Sequence, residues 1–353
     1  MSTQIRYQID TIPFTAVTVA DGFWSSRMET NRAVTIPYDF QKCEETGRLS
    51  NFDKAAGIQE GAHEGIFYND SDVFKIIEGA AYSLSVQPDP ALEGYLDDLI
   101  ARIAAAQEAD GYLYTARTIA ERNGTADQLD PARIGRTRWS RLAVNHELYN
   151  VGHLYEAAVA HYQATGKRTL LDVALKNADL IDSVFGPDKR RDVPGHQEIE
   201  IGLVKLYGVT GAERYLRLAK FFLDERGHAN GRELYASQSH AGYMQDHQPV
   251  IEQREAVGHA VRAGYMYCAM ADVAALTGDA AYVTAIDRIW ENVVGKKLYL
   301  TGGVGALHRG EAFGADYELP NATAYTETCA AIANIFWNRR MFQLHGDAHY
   351  IDV

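Results

Sequence analysis

"HLYEAAVAHYQATGKRTLLDVALKNADLI", residues 153–181, decides the fold. A helical apolar pattern runs to Ala164, a Thr-Gly pair interrupts it, and a second helical pattern follows. Leu171, Ala174, Leu175, Ala178 and Ile181 keep the three–four spacing of one buried helix face. A glycine just past the last helical turn supplies a left-handed C-cap, and the chain returns antiparallel. The stretch therefore predicts an αα-hairpin.

The pattern recurs. One copy starts at His196 with its turn at Thr210-Gly211, and another starts at His259 with its turn at Thr277-Gly278. Repeats of this size predict a solenoid or a closed ring of hairpins. Helices are expected near 28–46, 69–85, 90–108, 141–164, 168–185, 195–208, 212–226, 255–276, 279–294 and 328–345, about five hairpins with ends good to a few residues. Strand signal is confined to short runs in loops. The fold class expected is all-α, an (α/α)6 barrel in one domain over residues 1–353. Because six hairpins need about two helices more, the barrel is expected to be incomplete at its C-terminal end, and the chain to be a fragment. An open ring exposes apolar helix faces, which favours a homo-oligomer.

Between the hairpins lie aromatic and glycine-rich segments: "DGYLYT" at 110–115, "GRELYASQSHAGY" at 231–243 and "LYLTGGVGALHRGEAFG" at 298–314. Loops of this length are usually functional. "TGGVG" lacks the Gly-Lys-Ser/Thr of a phosphate loop and reads as a flexible loop. "NDSDVFKIIEG" at 69–79 lacks the spacing and closing glutamate of a calcium loop, so Asp70 or Ser71 is expected to cap a helix.

The bulk composition sets limits. With 353 residues, 46% hydrophobic and 23% charged, the chain is globular in type. A net charge of -13, spread along the sequence, argues against nucleic acid and anionic membranes as partners. Three scattered cysteines do not make a disulfide framework. No basic-then-apolar leader and no long apolar run is seen, so a cytoplasmic setting is expected.

Several residues are candidates for chemistry. Glu327 and Cys329 lie two apart, so they share a side only in extended backbone, with a helix starting near Thr328 and capped by its hydroxyl. Carboxylate and thiolate are both zinc donors, but a structural zinc wants four. A buried inert thiol beside a helix-start glutamate is the alternative. Glu311 sits in a glycine-flanked loop, where it reads either as a glycosidase proton donor or as a solvated glutamate. His146, His153, His196 and His259 fall near the first turns of hairpin helices. Such rings suit a neutral, hydroxyl-rich ligand, while each alone reads as a structural residue.

Taken in order, "DGFWSSRMETNR" at 21–32, "TGRLSNF" at 46–52, "NDSDVFKIIEGAAY" at 69–82, "DGYLYT", "NHELYNVGHLYEAAVAHYQATGK" at 145–167, "PGHQEIEIGLVKLY" at 194–207, "AVGHAVRAGYMY" at 256–267, "LTGGVGA" at 300–306 and "ELPNATAYTETCAAIAN" at 318–334 resemble the β-L-arabinofuranosidase family of glycoside hydrolases, family 127. The resemblance covers residues from about 10 to 345. It implies an (α/α)6 catalytic barrel that removes terminal β-L-arabinofuranosyl units from arabinose-containing oligosaccharides with retention. It also implies a zinc-bound cysteine nucleophile, with zinc held by one glutamate and three cysteines. By the same resemblance Glu327 and Cys329 match two zinc ligands, and Glu311, 16 residues before Glu327, matches the acid/base. His146, His196 and His259 match histidines around the sugar. The family's Cys-Cys pair, which includes the nucleophile, has no counterpart here, since no cysteine follows Cys329. This chain alone is therefore expected to bind zinc weakly or not at all. Two alternatives remain: a sugar epimerase or uronyl hydrolase of α/α-barrel type, and a non-catalytic carbohydrate-binding remnant.

Overall fold

A computed structural model describes residues 6–232, 234 and 242–353. Most of the loop at 231–243 lies outside the described residues. The fold is all-helical, and among the described residues there is no strand, only isolated bridges. The α-helices are α1 (Trp24–Thr30), α2 (Ile36–Glu45), α3 (Arg48–Ala56), α4 (Asp70–Val86), α5 (Pro90–Ala106), α6 (Thr115–Arg122), α7 (Glu147–Thr165), α8 (Thr169–Val184), α9 (Ile199–Thr210), α10 (Glu213–Glu225), α11 (Ala260–Thr277), α12 (Ala280–Lys296) and α13 (Thr328–His345). None is long and apolar enough to cross a membrane.

All ten expected helices form. The first is interrupted, because Pro37 has no N–H to return to the Ala33 carbonyl. The chain there widens into a π turn over Asn31–Thr35 between α1 and α2. Helices α3 and α6 are additional. They are short, and α6 is polar in sequence although Thr115, Arg117 and Thr118 are buried. The Thr-Gly turns behave as expected. Gly166, Gly211 and Gly278 have φ of 75°, 68° and 76°. Each preceding threonine hydroxyl donates to the carbonyl four residues back, at 2.7, 2.6 and 2.7 Å. The expected caps at the start of α4 do not form. Asn69 occupies the cap position without a side-chain bond, and the Asp70 carboxylate is engaged elsewhere.

The chain divides into two compact units. One comprises Ile12–Val184 and Lys205–Ala212. In it α4 packs on α7, α7 on α8, α3 on α5 and α6, and α5 on α8. Helix α7 is buried on every face from Val151 to His161, whereas α8 buries only one stripe. A helix apolar all round belongs to the interior.

The other unit comprises residues up to Thr11, Phe185–Val204 and Glu213–Val353. Here α11 is buried from Ala260 to Ala275 and packs on α10, α12 and α13. Residues 7–11 lie along α13: the N–H groups of Gln8 and Ile9 donate to the Gln343 carbonyl at 2.7 and 3.2 Å. Beneath this strap, Arg340 Nε donates to Asp272 at 2.8 Å and the Tyr7 hydroxyl donates to the same carboxylate. Burial, then Asp272, holds the Tyr7 phenol well above its ordinary pKa. On its outer side α13 leaves Ile332, Ile335 and Phe336 exposed.

The Asp272–Arg340 pair is buried on both sides. Asp272→Ala strands a buried guanidinium, so urea unfolding is expected to show a loss of about 3–5 kcal/mol. A loss under about 1 kcal/mol would mean that water reaches Arg340.

Candidate functional site

Helix α11 begins at a histidine. His259 is the N-cap, and its Nδ1 accepts from the N–H groups of Val261 and Arg262 at 3.2 and 3.4 Å. A ring nitrogen that accepts carries no proton, so the imidazole proton sits on Nε2. Nε2 lies 2.8 Å from Glu311 Oε2 and donates to it.

The backbone brings Glu311 to that place. Leu307 and Ala312 pair across a tight turn, with N–O distances of 2.9 and 3.0 Å. Ala312 also bridges antiparallel to His259, and the Phe313 N–H donates to the Gly258 carbonyl at 2.9 Å. Glu311, one residue before the bridge, has φ of 51°. A non-glycine residue there costs about 1–3 kcal/mol and persists only where its surroundings hold it. His259 is buried, whereas the Glu311 side chain is 42% exposed.

Other rings gather on His259. The His196 centroid is 5.6 Å from it and Tyr243 is 5.8 Å from it. His196 donates from Nδ1 to the Gln197 carbonyl at 2.7 Å, and Tyr265 stands 5.9 Å from the His196 ring.

Glu327 and Cys329 open α13. The helix starts at Thr328 as expected, but Glu327 is the N-cap, with φ -59° and ψ 140° and no side-chain cap bond. Residues 325–329 are not extended throughout, since Thr326 has φ of 38°. The "TGGVG" loop is fastened here rather than loose: Tyr325 and Thr326 N–H groups donate to the carbonyls of Ala306 and Gly305 at 3.1 and 2.9 Å. Cys329 is exposed. Glu327 Oε2 is buried and, among the described residues, has no hydrogen-bond partner. Tyr325 links the two parts of the site. Burial, then the Glu311 and Glu327 carboxylates, raise its phenol above the ordinary value.

A bare buried carboxylate oxygen and, two residues on, an exposed thiol are both donor types that a zinc site uses. Among the described residues of this unit, no third histidine, cysteine or acid completes a cluster with them. The donor set is partial.

His146 belongs to the unit containing α7. It is the N-cap of α7 with φ of 61°, its Nδ1 lies 2.6 Å from the Val144 carbonyl, and its ring stacks on Tyr68 at 4.3 Å. Its neighbour Glu147 was not singled out from sequence. Glu147 is fully buried and accepts from the Trp139 N–H at 2.7 Å, and from the Tyr112 hydroxyl and the Asn145 amide. Burial pushes its carboxyl up to about 7. At the start of α4, burial likewise raises Asp70 to about 6, while Thr115 N–H donates to it at 2.9 Å. The only sequence signal was an acid at a helix start, which ordinarily means an exposed residue. His153, the remaining candidate, is buried inside α7.

These raised values fix a pH dependence. The folded pKa of Glu147 lies above its ordinary 4.5, so the folded state binds the proton more tightly than the unfolded chain. That contribution is complete below pH 4.5 and disappears as pH rises through about 7. The expected fall in unfolding free energy is about 3 kcal/mol. Urea titrations between pH 4.5 and 7.5 should show it, and Glu147→Gln should flatten the profile. An equally steep profile in the variant would assign the effect to other groups.

Comparison with known proteins follows the same residues. A sequence model of the β-L-arabinofuranosidase GH127 catalytic domain matches residues 16–353. A non-reducing end β-L-arabinofuranosidase of Bifidobacterium longum is 37% identical over 374 residues, 96% of this chain and 55% of that protein. A solved GH127 β-arabinofuranosidase superimposes with a TM-score of 0.90 and 53% identity, over 98% of this chain and 53% of that one. A GH127 β-L-arabinofuranosidase from Geobacillus stearothermophilus T6 gives 0.88 and 44%, over 95% and 54%. The chain thus spans about half the length of the relatives it matches.

Proposed function

The chain belongs to the β-L-arabinofuranosidase GH127 catalytic-domain family, and on that premise we propose that it serves the hydrolysis of terminal β-L-arabinofuranosyl units. The observation that carries the reading is the Glu311–His259 pair at 2.8 Å. A proton donor to a glycosidic oxygen must be held in place yet open to substrate. Glu311 is fixed by a buried ring and remains partly exposed.

In this role Glu311 gives its proton to the departing oxygen as an attacking group takes that oxygen's place on the anomeric carbon. It then takes a proton from the water that displaces that group. Donation from His259 Nε2 holds the Glu311 carboxylate in place. His196 and His259, whose ring centroids lie 5.6 Å apart, are assigned to hold the sugar.

Glu327 and Cys329 are assigned as two of the donors to a zinc ion. When bound, zinc keeps a thiol ionised at neutral pH. The remaining donors, and the attacking cysteine that the resemblance implies, are not among the cysteines of this sequence. Retention through a thiolate is accordingly proposed for a polypeptide that contains them.

Two measurements test the reading. In a polypeptide that contains those cysteines, release of p-nitrophenol from a panel of p-nitrophenyl glycosides should favour the β-L-arabinofuranoside, and Glu311→Gln should lower kcat about 100- to 10,000-fold. Turnover of another glycoside with Glu311→Gln unimpaired would replace this function, and binding without turnover would favour a carbohydrate-binding module. Elemental analysis of the purified chain should find well under one zinc per chain, falling further in Cys329→Ser. One tightly held zinc would mean that other residues complete the set.

A further inference from the structure

Within the unit that holds α11, the rings of His196, Tyr243 and His259 come from three separate stretches of chain. One buried side chain touches all three stretches. Gln245 is fully buried and has φ of 54°, a conformation that disfavours a side chain. Its amide Nε2 lies 2.8 Å from the Val257 carbonyl and 3.2 Å from the His259 carbonyl, with the Tyr243 and Gly242 carbonyls at 3.3 and 3.4 Å, so its two nearest acceptors belong to the segment that caps α11. Its Oε1 accepts from Gln197 Nε2 at 3.0 Å, next to His196. Its own carbonyl accepts from Gln253 Nε2 at 2.9 Å. The backbone beside it is equally close: the His259 N–H donates to the Tyr243 carbonyl at 3.1 Å, and a Cβ on Gly258 would stand 2.1 Å from the Gly242 carbonyl. No other type of side chain supplies two donors and an acceptor of this reach without charge.

We infer that Gln245 is a positioning residue for the acid/base: its amide fixes the His259 backbone so that the ring caps α11 with Nδ1 and aims Nε2–H at Glu311. The inference rests on the proposed glycosidase reading for its catalytic consequence, and on geometry alone for the state of His259. Gln245→Glu keeps the shape and the acceptor for Gln197 but removes both donors to the 257–259 segment. The backbone of His259 then loses its anchor, and the ring no longer satisfies its cap and Glu311 together.

The test uses the full chain with 15N-labelled histidine. In the parent, His259 should show one protonated and one bare ring nitrogen. In Gln245→Glu, folded by circular dichroism, the two signals should average towards each other. In a polypeptide that also supplies the attacking cysteine, turnover of the p-nitrophenyl β-L-arabinofuranoside should fall about 100-fold in kcat with KM changed less than about twofold. Gln245→Met, uncharged and of similar length, serves as the second variant and should behave alike. A folded variant with the parent's nitrogen pattern overturns the inference, as does loss of fold in both variants, which would assign Gln245 to stability. If a polypeptide that also supplies the attacking cysteine turns over no arabinofuranoside, the glycosidase reading fails and the nitrogen signals alone decide on Gln245.

Discussion

The two nitrogens of His259 join the head of α11 to the Glu311 carboxylate. Nδ1 satisfies two of the orphan N–H groups at the head of α11, and Nε2 then has no choice but to donate. What it donates to is Glu311. Helix start and carboxylate position are thereby one constraint. A slip of one residue in α11 would break both bonds, and the bridge between His259 and Ala312 with them. The fully buried body of α11, packed on α10, α12 and α13, resists that slip.

The carboxylates sort by how fully they are satisfied. Glu147 receives three donors in a fully buried setting, and Asp70 is bonded to both the N–H and the hydroxyl of Thr115. Such groups have little capacity left for a ligand, and they fasten the starts of α7 and α4. Glu311 keeps a partly exposed side chain, and Glu327 keeps a buried oxygen with nothing on it among the described residues. Leaving such an oxygen bare costs about 1–3 kcal/mol.

Sequence periodicity was enough for the all-helical class, the ten main helices and the Thr-Gly caps, because each depends on local spacing and on one residue type at one φ. It failed where tertiary contacts decide. Helix α6 is polar in sequence but buried, and α1–α2 look continuous until the missing N–H of Pro37 is counted. The cap assigned to Asp70 was wrong because Thr115, far along the chain, competes for the same carboxylate. For the candidate site, Glu311, Glu327 and Cys329 were singled out through their resemblance to a family motif, and their roles belong to the proposed function. Gln245 was not, since its role lies in backbone carbonyls that only folding brings within reach of its amide.

Helix α13 shows how distant charge reaches the site. Its first turn carries Cys329 and follows directly on Glu327, while its last turns are held by Arg340 on Asp272 and by the backbone of residues 8 and 9 on Gln343. A helix is a stiff rod with a rise of about 1.5 Å per residue, so an anchor at one end sets the register at the other. The buried pair at Asp272 also ties α13 to α11, the helix that His259 caps. Glu311, through His259, and Glu327 with Cys329 therefore lie near the heads of two helices that pack on each other and are joined by this ion pair.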